Sequence, residues 1–313
     1  MKKILVVMIS AMLLLSACGQ NEIRLNMATG GVAGTYFPLG GAMAAVINDR
    51  TDIYITAMAS GASADNIQQI AAGDAHIAIA QNDVMNYAFH GISIWSEREP
   101  VTTIATLMSL YPETVQIIVL ADSGIYSVAD LAGKRVSIGD IGSGVEANAV
   151  QVLAAYGLGR DDITQINLGF GASADAMRDF NLDAFFVTAA TPNTAVLELS
   201  TARDLRLLSL SERAIQDLMR DYPFYVRVSV DESDGYPWMT EPINTVAVQA
   251  TLIASTDLDE QIAYDIVRAL IEGQADIGHA RGAYITLYNA VQSISVDFHP
   301  GARRFFEEMG VLD

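Results

Sequence analysis

Residues 22–38 decide the fold, and they read EIRLNMATGGVAGTYFP. The first eight of these residues alternate between polar and apolar side chains, which is typical of a strand with one buried face. Residues 30–38 then supply three glycines and one proline, which favour a tight turn. A helix of mostly small residues is predicted to follow, over about 39–48. A strand that ends in a glycine-rich turn before a helix is a basic unit of α/β proteins.

The same unit recurs in the next part of the chain. A predicted strand at 53–59 leads into the turn Ser60-Gly61-Ala62-Ser63, and a predicted helix then extends to Gly73. A third apolar strand, at 75–80, leads directly into Gln81-Asn82-Asp83. Because strands alternate with helices, we predict an α/β protein with a mostly parallel sheet.

A second region with a similar organisation begins near Pro112. Its strands are predicted at 114–120, 136–138, 166–170 and 184–187, with a long helix at 145–156. The pentapeptide Gly-Ala-Ser-Ala-Asp occurs in both regions, at 61–65 and 171–175, each time between a predicted strand and a predicted helix. This repeat favours two domains built on similar units, and chance in an Ala- and Gly-rich chain is an equal alternative.

The last part of the chain returns to strands, predicted at 225–230 and 246–251. Asp257 and Glu260 are expected to cap a helix that ends near Glu272. A terminal helix is predicted to follow His299.

The start of the chain has the pattern of a secretory signal. Lys2 and Lys3 precede the apolar run 4–15, which is too short to span a bilayer, since about 20 apolar residues are needed. Leu15-Ser16-Ala17-Cys18 resembles a bacterial lipobox. Residues 1–17 are therefore predicted to be a lipoprotein signal peptide and Cys18 the lipidated residue, with an ordinary secretory signal as the alternative. Either reading places the rest of the chain outside the cytoplasm, in a periplasm or at a cell surface.

The charge and cysteine content of the chain limit which partners it can bind. The chain has 18 basic and 37 acidic residues and a formal net charge of −19. It should repel nucleic acid and anionic membrane surfaces, so any anion that it binds must be held by short-range donors. Cys18 is the only cysteine, so the predicted domains depend on packed cores rather than on disulfides.

Patterns that indicate catalysis or a cofactor are missing from the sequence. The four histidines are His76, His90, His279 and His299. They lack the spacing of zinc ligands, and no Gly-x-Ser-x-Gly motif occurs. Gly30-Gly31-x-x-Gly34 differs from a dinucleotide-binding turn, and no acidic residue follows the second strand to bind a ribose. We therefore expect no enzyme activity, no metal and no cofactor.

Three turns favour the binding of a small solute, at 30–36, 60–63 and 142–145. Each links a predicted strand to a predicted helix, where unpaired amides and the helix dipole attract a carboxylate. Lys and Arg are absent from five segments near these turns, at 29–41, 58–66, 80–86, 139–148 and 188–195. Without a bidentate arginine clamp, a small carboxylate or a neutral polar solute fits better than a phosphate-rich ligand. The alternative is that the glycines only permit tight turns.

Several motifs occur in a fixed order over nearly the whole chain after the predicted signal. They are Thr29-Gly30-Gly31-x-x-Gly34-x-Tyr36-x-Pro38-x-Gly40-Gly41, Gln81-x-Asp83, residues 127–136, Gly142-Ser143-Gly144, Asp183-Ala184-Phe185-Phe186, Thr191-Pro192-Asn193, Tyr222-Pro223 and His299-Pro300-Gly301-Ala302. Together they resemble the TAXI-type solute-binding proteins of TRAP transporters. Phe37 stands where that family often has a second Tyr, and residues 61–65 depart from its Gly-Ser-x-Glu-Asn pattern. These departures leave the identity of the ligand open.

The resemblance implies a two-lobed periplasmic-binding-protein fold, type II-like, that closes about a hinge on its solute. Lobe I is expected at 22–113 plus 225–313 and lobe II at 114–224, with hinge crossings near Pro112 and Pro223. Family ligands are glutamate, glutamine or related small carboxylates, which are passed to a sodium-driven TRAP membrane transporter. The protein is expected to be a monomer held at the membrane by its N-terminal lipid.

The turns and the resemblance together nominate one set of ligand-binding residues. They are Thr29, Gly30, Gly34, Thr35, Tyr36, Ser60, Ser63, Gln81, Asp83, Ser143, Gly144, Val145, Thr191 and Asn193. Tyr36 either contacts the ligand or is a buried aromatic with a satisfied hydroxyl. Ser60 and Ser63 donate to the ligand or only cap a helix. Gln81 and Asp83 bind an ammonium group or order their loop.

Two other functions stay open at this stage. One is a ligand-binding accessory of a membrane sensor, which would use the same fold. The other is a surface antigen that binds no small ligand.

Overall fold

The computed structural model of the protein describes residues 23–312. The predicted signal peptide and Cys18 lie outside these residues. Within the described range, ten strands and nine α-helices form an α/β fold around one sheet, which confirms the predicted fold class. The sheet is mixed rather than mostly parallel as predicted, because its two long central strands are antiparallel to each other and to their neighbours. No helix in this range combines the length and the apolar character needed to cross a bilayer.

The amino-terminal part forms three parallel strands, β1 (Ile23–Ala28), β2 (Ile53–Met58) and β3 (Ile77–Gln81). β1 lies between the other two, paired in parallel with both. A helix follows each strand: α1 (Tyr36–Arg50), α2 (Ser63–Ala72) and α3 (Asn82–His90). The predicted strand–turn–helix units are therefore confirmed, and parallel pairing brings all three helix N-termini to one edge of the sheet.

Two long antiparallel strands, β4 (Ile104–Leu120) and β10 (Ile243–Ser255), run through the middle of the sheet. β10 pairs with β3 on its other side. β4 is continuous through Pro112, whereas the prediction began a strand at 114. The proline is accommodated because the register with β10 shifts between Gln249 and Thr251, next to the residue that pairs with Pro112.

The second half of the sheet contains β5 (Arg135–Ser137), β6 (Thr164–Ile166) and β7 (Ala184–Ala189). β7 is antiparallel to β4, and β5 pairs in parallel with both β7 and β6. Two further strands, β8 (Leu205–Leu207) and β9 (Val226–Val230), pair with β4 and β10. The main strand order is β2-β1-β3-β10-β4-β7-β5-β6.

Six more helices cover the sheet. They are α4 (Gly144–Ala155), α5 (Phe170–Arg178), α6 (Thr194–Ser200), α7 (Glu212–Asp221), α8 (Glu260–Glu272) and α9 (Pro300–Glu308). α8 and α9 return to the first half, where Phe305 and Phe306 join the core that contains Met27 and Leu39. The core of the second half centres on other apolar side chains, such as Ile117 and Phe186.

Residues 225–248 pack with the second half of the molecule. Tyr225, Val246 and Val248 belong to the same apolar cluster as Val115. This packing differs from the expected lobe I segment 225–313. The chain passes Pro223 and then forms β9, which pairs only with the first part of β10. β10 reaches the first half farther along, after its register shift at Gln249, where it pairs with β3.

Two local predictions are corrected in detail. The second Gly-Ala-Ser-Ala-Asp lies inside α5, whereas the first spans the start of α2, so the two copies do not share a structural context. Asp259 rather than Asp257 caps α8, because its Oδ1 accepts the amides of Gln261 and Ile262. Ser127 and Asp130 form a capping box on a 3-10 turn.

Candidate functional site

A cavity of about 50 Å³ lies where the two halves meet. Its lining comes from Gly30, Gly31, Gly34, Thr35, Tyr36, Ala62, Ser63, Gln81, Glu113, Gly144, Val145, Phe170, Thr188 and Ala189. A cleft of about 270 Å³ adjoins it, lined by residues of both halves that include Val32, Asp140 and Gly171. The cavity fits a small solute and not a polymer.

The N-termini of four helices meet at this cavity. α1 and α2 contribute Tyr36 and Ser63 from the first half, and α4 and α5 contribute Gly144 and Phe170 from the second. Each helix has at least nine residues, so each carries partial positive charge at this end. Four such ends around one cavity favour an anionic group of a bound solute.

The helix ends differ in how their amides are satisfied. No side chain caps α1, α2 or α5. The Ala64 amide of α2 donates across the two halves to the Gly142 carbonyl, at 3.1 Å. α4 is capped by Ser143, whose Oγ accepts the Glu146 amide at 3.2 Å. Ser143 is therefore occupied as a cap, while Gly144 and Val145 face the cavity.

Glu113 is the acidic residue of the lining, and it is only 2% exposed. Its carboxylate accepts the hydroxyl of Tyr36 at 2.6 Å and that of Tyr111 at 3.4 Å. Burial, with a smaller contribution from the nearby charge of Asp83, raises the pKa of Glu113 to about 8, against the opposing effect of the hydrogen bond from Tyr36. Burial and the Glu113 carboxylate also raise the pKa of Tyr36 well above its usual value.

Two buried polar atoms beside Glu113 have no hydrogen-bond partner within the described residues. They are Gln81 Oε1 and Thr188 Oγ1, on side chains that are 2% and 3% exposed. Both residues line the cavity. Unsatisfied buried polar atoms are uncommon in folded proteins and cost about 1–3 kcal/mol each, so they indicate groups prepared for a ligand.

A separate polar network joins the two halves outside the cavity. Asp83 Oδ2 accepts Asn148 Nδ2 at 3.0 Å, and the same amide contacts the Tyr225 hydroxyl at 2.9 Å. The Gln151 amide donates to the Tyr87 hydroxyl at 3.1 Å. Burial raises the pKa of Asp83 to about 6, against the effect of its hydrogen bonds. Asp83 therefore links α3 to α4 instead of facing a solute.

The predicted site residues fall into two groups. The cavity brings together Gly30, Gly34, Thr35, Tyr36, Ser63, Gln81, Gly144 and Val145. Six other candidates are not among its described lining residues: Thr29, Ser60, Asp83, Ser143, Thr191 and Asn193.

The residues outside the lining have structural partners, through the side chain for Thr29, Ser60 and Asn193 and through the backbone for Thr191. The Thr29 hydroxyl donates to the Met58 carbonyl at 2.6 Å, and Ser60 Oγ donates to Asn66 Oδ1 at 2.6 Å. Asn193 caps α6 by accepting the amides of residues 195 and 196. The carbonyl of Thr191 accepts Arg281. For Ser60 and Asn193 the capping or turn role is the one that the contacts support.

Sequence reasoning missed Glu113, Phe170 and Thr188. A signal for Glu113 was present, because it is the one acid in the apolar run LMSLYPETVQIIVL at 107–120. Thr188 and Phe170 carried no such signal. No Lys or Arg is among the described lining residues, and no group of three His, Cys, Asp or Glu that could hold a metal gathers within residues 23–312.

Fold and cavity together define the class of protein as one with the periplasmic binding-protein fold. Three solved structures of low identity share that fold. The periplasmic binding protein BugD is 14% identical, with a TM-score of 0.59, and the match covers 93% of this chain and 94% of that one. The alkanesulfonate-binding protein SsuA from Xanthomonas axonopodis pv. citri, bound to MOPS, is 16% identical, with a TM-score of 0.51 and coverage of 91% and 83%. An ancestral arginine-binding protein bound to arginine is 15% identical, with a TM-score of 0.51 and coverage of 84% and 96%.

The family is defined more narrowly by sequence. The profile of the NMT1-like family matches residues 27–310, and the chain belongs to that family. The fold neighbours named above are binding proteins rather than enzymes.

Proposed function

We propose that this protein is an extracytoplasmic receptor that captures a small carboxylate-bearing solute between two lobes and delivers it to a TRAP-type membrane transporter. The observation that carries the proposal is the meeting of four helix N-termini, from both halves, around one cavity. The unpartnered atoms of Gln81 and Thr188 add an independent indication of a ligand. Delivery to a TRAP transporter, and anchoring through Cys18, rest on the resemblance to TAXI-type proteins.

In this proposal the lobes open and close about the two long strands. The apolar packing supports lobe I as residues 23–113 plus about 249–312, and lobe II as about 114–248. Both crossings then lie in neighbouring strands, β4 and β10. Contacts across the cleft, such as Ala64 to Gly142 and Asp83 to Asn148, would form only on closure. A solute held by both lobes stabilises the closed form by its extra contacts.

The first experiment is a thermal-shift screen of the purified protein against amino acids, keto acids and dicarboxylates. A solute at a hundredfold over its Kd adds about 2.7 kcal/mol to the free energy of unfolding, so a hit raises Tm by several degrees. Unfolding and refolding before the screen removes retained solute.

A matched pair of variants tests whether a hit occupies the cavity. Thr188→Val removes the unpartnered cavity hydroxyl, and Thr251→Val removes an equally buried, unpartnered hydroxyl that is not part of the described lining. We expect Thr188→Val to weaken binding by about 5–10-fold and Thr251→Val to leave it unchanged.

Other outcomes separate the alternative functions. The absence of saturable binding across the panel would contradict solute capture and favour a surface antigen. Binding without uptake in proteoliposomes that contain TRAP membrane subunits would contradict the delivery step and favour a sensor accessory.

A further inference from the structure

The cavity offers hydrogen-bond acceptors as well as the donors at its helix ends. Glu113 and the free Oε1 of Gln81 both line it, and each is at least 98% buried. A carboxylate has about four acceptor positions, and three are used by the hydroxyls of Tyr36 and Tyr111 and by the side chain of Gln81. Acceptor capacity is therefore left for a donor group of the solute.

The surroundings of Glu113 favour a positive charge on that donor. The titratable groups that act on the pKa of its carboxyl are Tyr36 of α1, Tyr111 of β4 and Asp83 of α3, and Asp83 makes the site more negative. The positive charge of Arg281 opposes the rise in the pKa of Tyr111, and Arg281 is not among the lining residues of the cavity. An ionised carboxylate at this depth needs a partner cation.

We propose that Glu113 is the specificity-determining residue of this cavity, because its carboxylate accepts the ammonium group of the solute. The helix N-termini would hold the carboxylate of the same solute. This inference rests on the proposed function and deepens it. It assigns the site to α-amino acids in preference to keto acids or dicarboxylates of the same size, which lack the cation.

Binding of an ammonium group at Glu113 should release a proton. The empty cavity keeps Glu113 protonated near neutral pH, since its pKa is raised to about 8. An ammonium group displaces that proton into solvent, with no bond made or broken in the solute. The affinity for an amino acid should then rise about tenfold from pH 6 to pH 7 and level off as the pH approaches 8. A dicarboxylate or keto acid instead favours the protonated form, so its affinity would not rise over this range.

Isothermal titration calorimetry of the whole protein tests this with matched solutes. The pairs are L-glutamate with α-ketoglutarate, L-alanine with pyruvate, and L-valine with α-ketoisovalerate, whose members differ only in the ammonium group and the keto oxygen. Titrations at pH 6.5 in two buffers of different ionisation enthalpy count the protons released. We expect one amino acid to bind more tightly than its keto acid and to release close to one proton.

Two variants complete the test. Glu113→Gln keeps the shape and removes the charge, and should weaken amino-acid binding about 50-fold or more without weakening keto-acid binding. Glu97→Gln makes the same change of charge at an exposed residue and should have no effect.

The outcomes distinguish this inference from the function on which it rests. Keto-acid binding as tight as amino-acid binding, or amino-acid binding without proton release, would overturn the role of Glu113 and leave solute capture standing. No binding by any pair would overturn both. The proton count is made on the unmodified protein, so it decides the matter even if Glu113→Gln does not fold.

Discussion

Alanine in place of Gly144 should weaken solute binding without destabilising the fold. Gly144 is the first residue of α4 and lies against the Gln81 amide of the other half. A Cβ on Gly144 would come within 1.9 Å of Gln81 Oε1 and 2.3 Å of its Cδ. Ordinary contact begins at 3.4 Å, so the two groups must separate by roughly 1.5 Å.

Two movements can relieve this clash. The Gln81 amide can swing into the adjoining cavity, where it takes the space of the solute, or the two halves can stay apart. Overpacking of this kind costs about 1–3 kcal/mol, which corresponds to a rise in Kd of about 5–150-fold. With the halves apart there is no clash, and alanine favours the helix over glycine by up to about 1 kcal/mol. The free energy of unfolding without solute should therefore be unchanged or slightly higher.

Calorimetric titration with the solute found in the screen measures the affinity, and urea unfolding measures the stability. Gly41→Ala is the matched control, because Gly41 is exposed within α1 and a Cβ there meets no atom within 4 Å. Both variants should keep or gain stability, and only Gly144→Ala should lose affinity. Wild-type affinity in Gly144→Ala would refute the reasoning, because it would show that the contact with Gln81 is not part of the solute-bound state.

Three further predictions concern closure, capping and pH. Asn148→Ala removes the bond that joins the two halves at Asp83, so it should weaken solute binding by about 1–3 kcal/mol. It should also enlarge the radius of gyration measured by small-angle scattering, and an unchanged radius and affinity would contradict this prediction. Asn193→Ala removes the cap of α6, so it should lower the free energy of unfolding by about 1–2 kcal/mol in urea titrations. It also removes a long bond, 3.4 Å, from the Asn193 amide to the Ala33 carbonyl of the other half, so affinity should fall by about threefold at most; a large loss of affinity at full stability would instead make Asn193 a ligand contact. The solute-free protein should lose stability as pH rises from about 4.5 to about 8, because the folded state retains the proton of Glu113 that the unfolded chain releases. Asp83, whose pKa is raised to about 6, acts with the same sign below pH 6, so Glu113→Gln should flatten the dependence of Tm on pH above pH 6, and a Tm that rises through this range would contradict the assignment.

Much of the first half was predictable because its signals are local. The alternation at 22–29 and the glycine-rich turn after it specify a strand, a turn and a helix within a few residues of one another. The boundaries of β1, β2 and β3 accordingly lie within two residues of their predicted ends. The second pentapeptide was placed wrongly because its residues suit the first turns of α5 as well as a loop before it.

Local signals also predicted the part of the site that lies at helix N-termini. Gly30, Tyr36, Ser63 and Gly144 follow strands at turns, and strand ends in a parallel sheet share one edge, so their approach follows from the order of the elements. The scarcity of Lys and Arg near these turns was likewise visible along the chain. What the pattern left open was which neighbour each side chain would face. Asp83 is one residue beyond the start of α3, and it turns to Asn148 rather than to the cavity.

The sequence by itself determined an α/β chain with glycine-rich helix starts, a site without arginine, and a pattern of motifs that resembles a solute receptor. Only the tertiary structure decided that Glu113 meets Tyr36 across 77 positions of sequence, and that Thr188 of β7 lines the same cavity. It also decided that β10 carries the chain back to the first half near Gln249 and not at Pro223. The physical reason is that periodicity and turn residues describe contacts within a few positions. The partners of a buried side chain depend instead on how strands order themselves in a sheet and how two halves pack against each other.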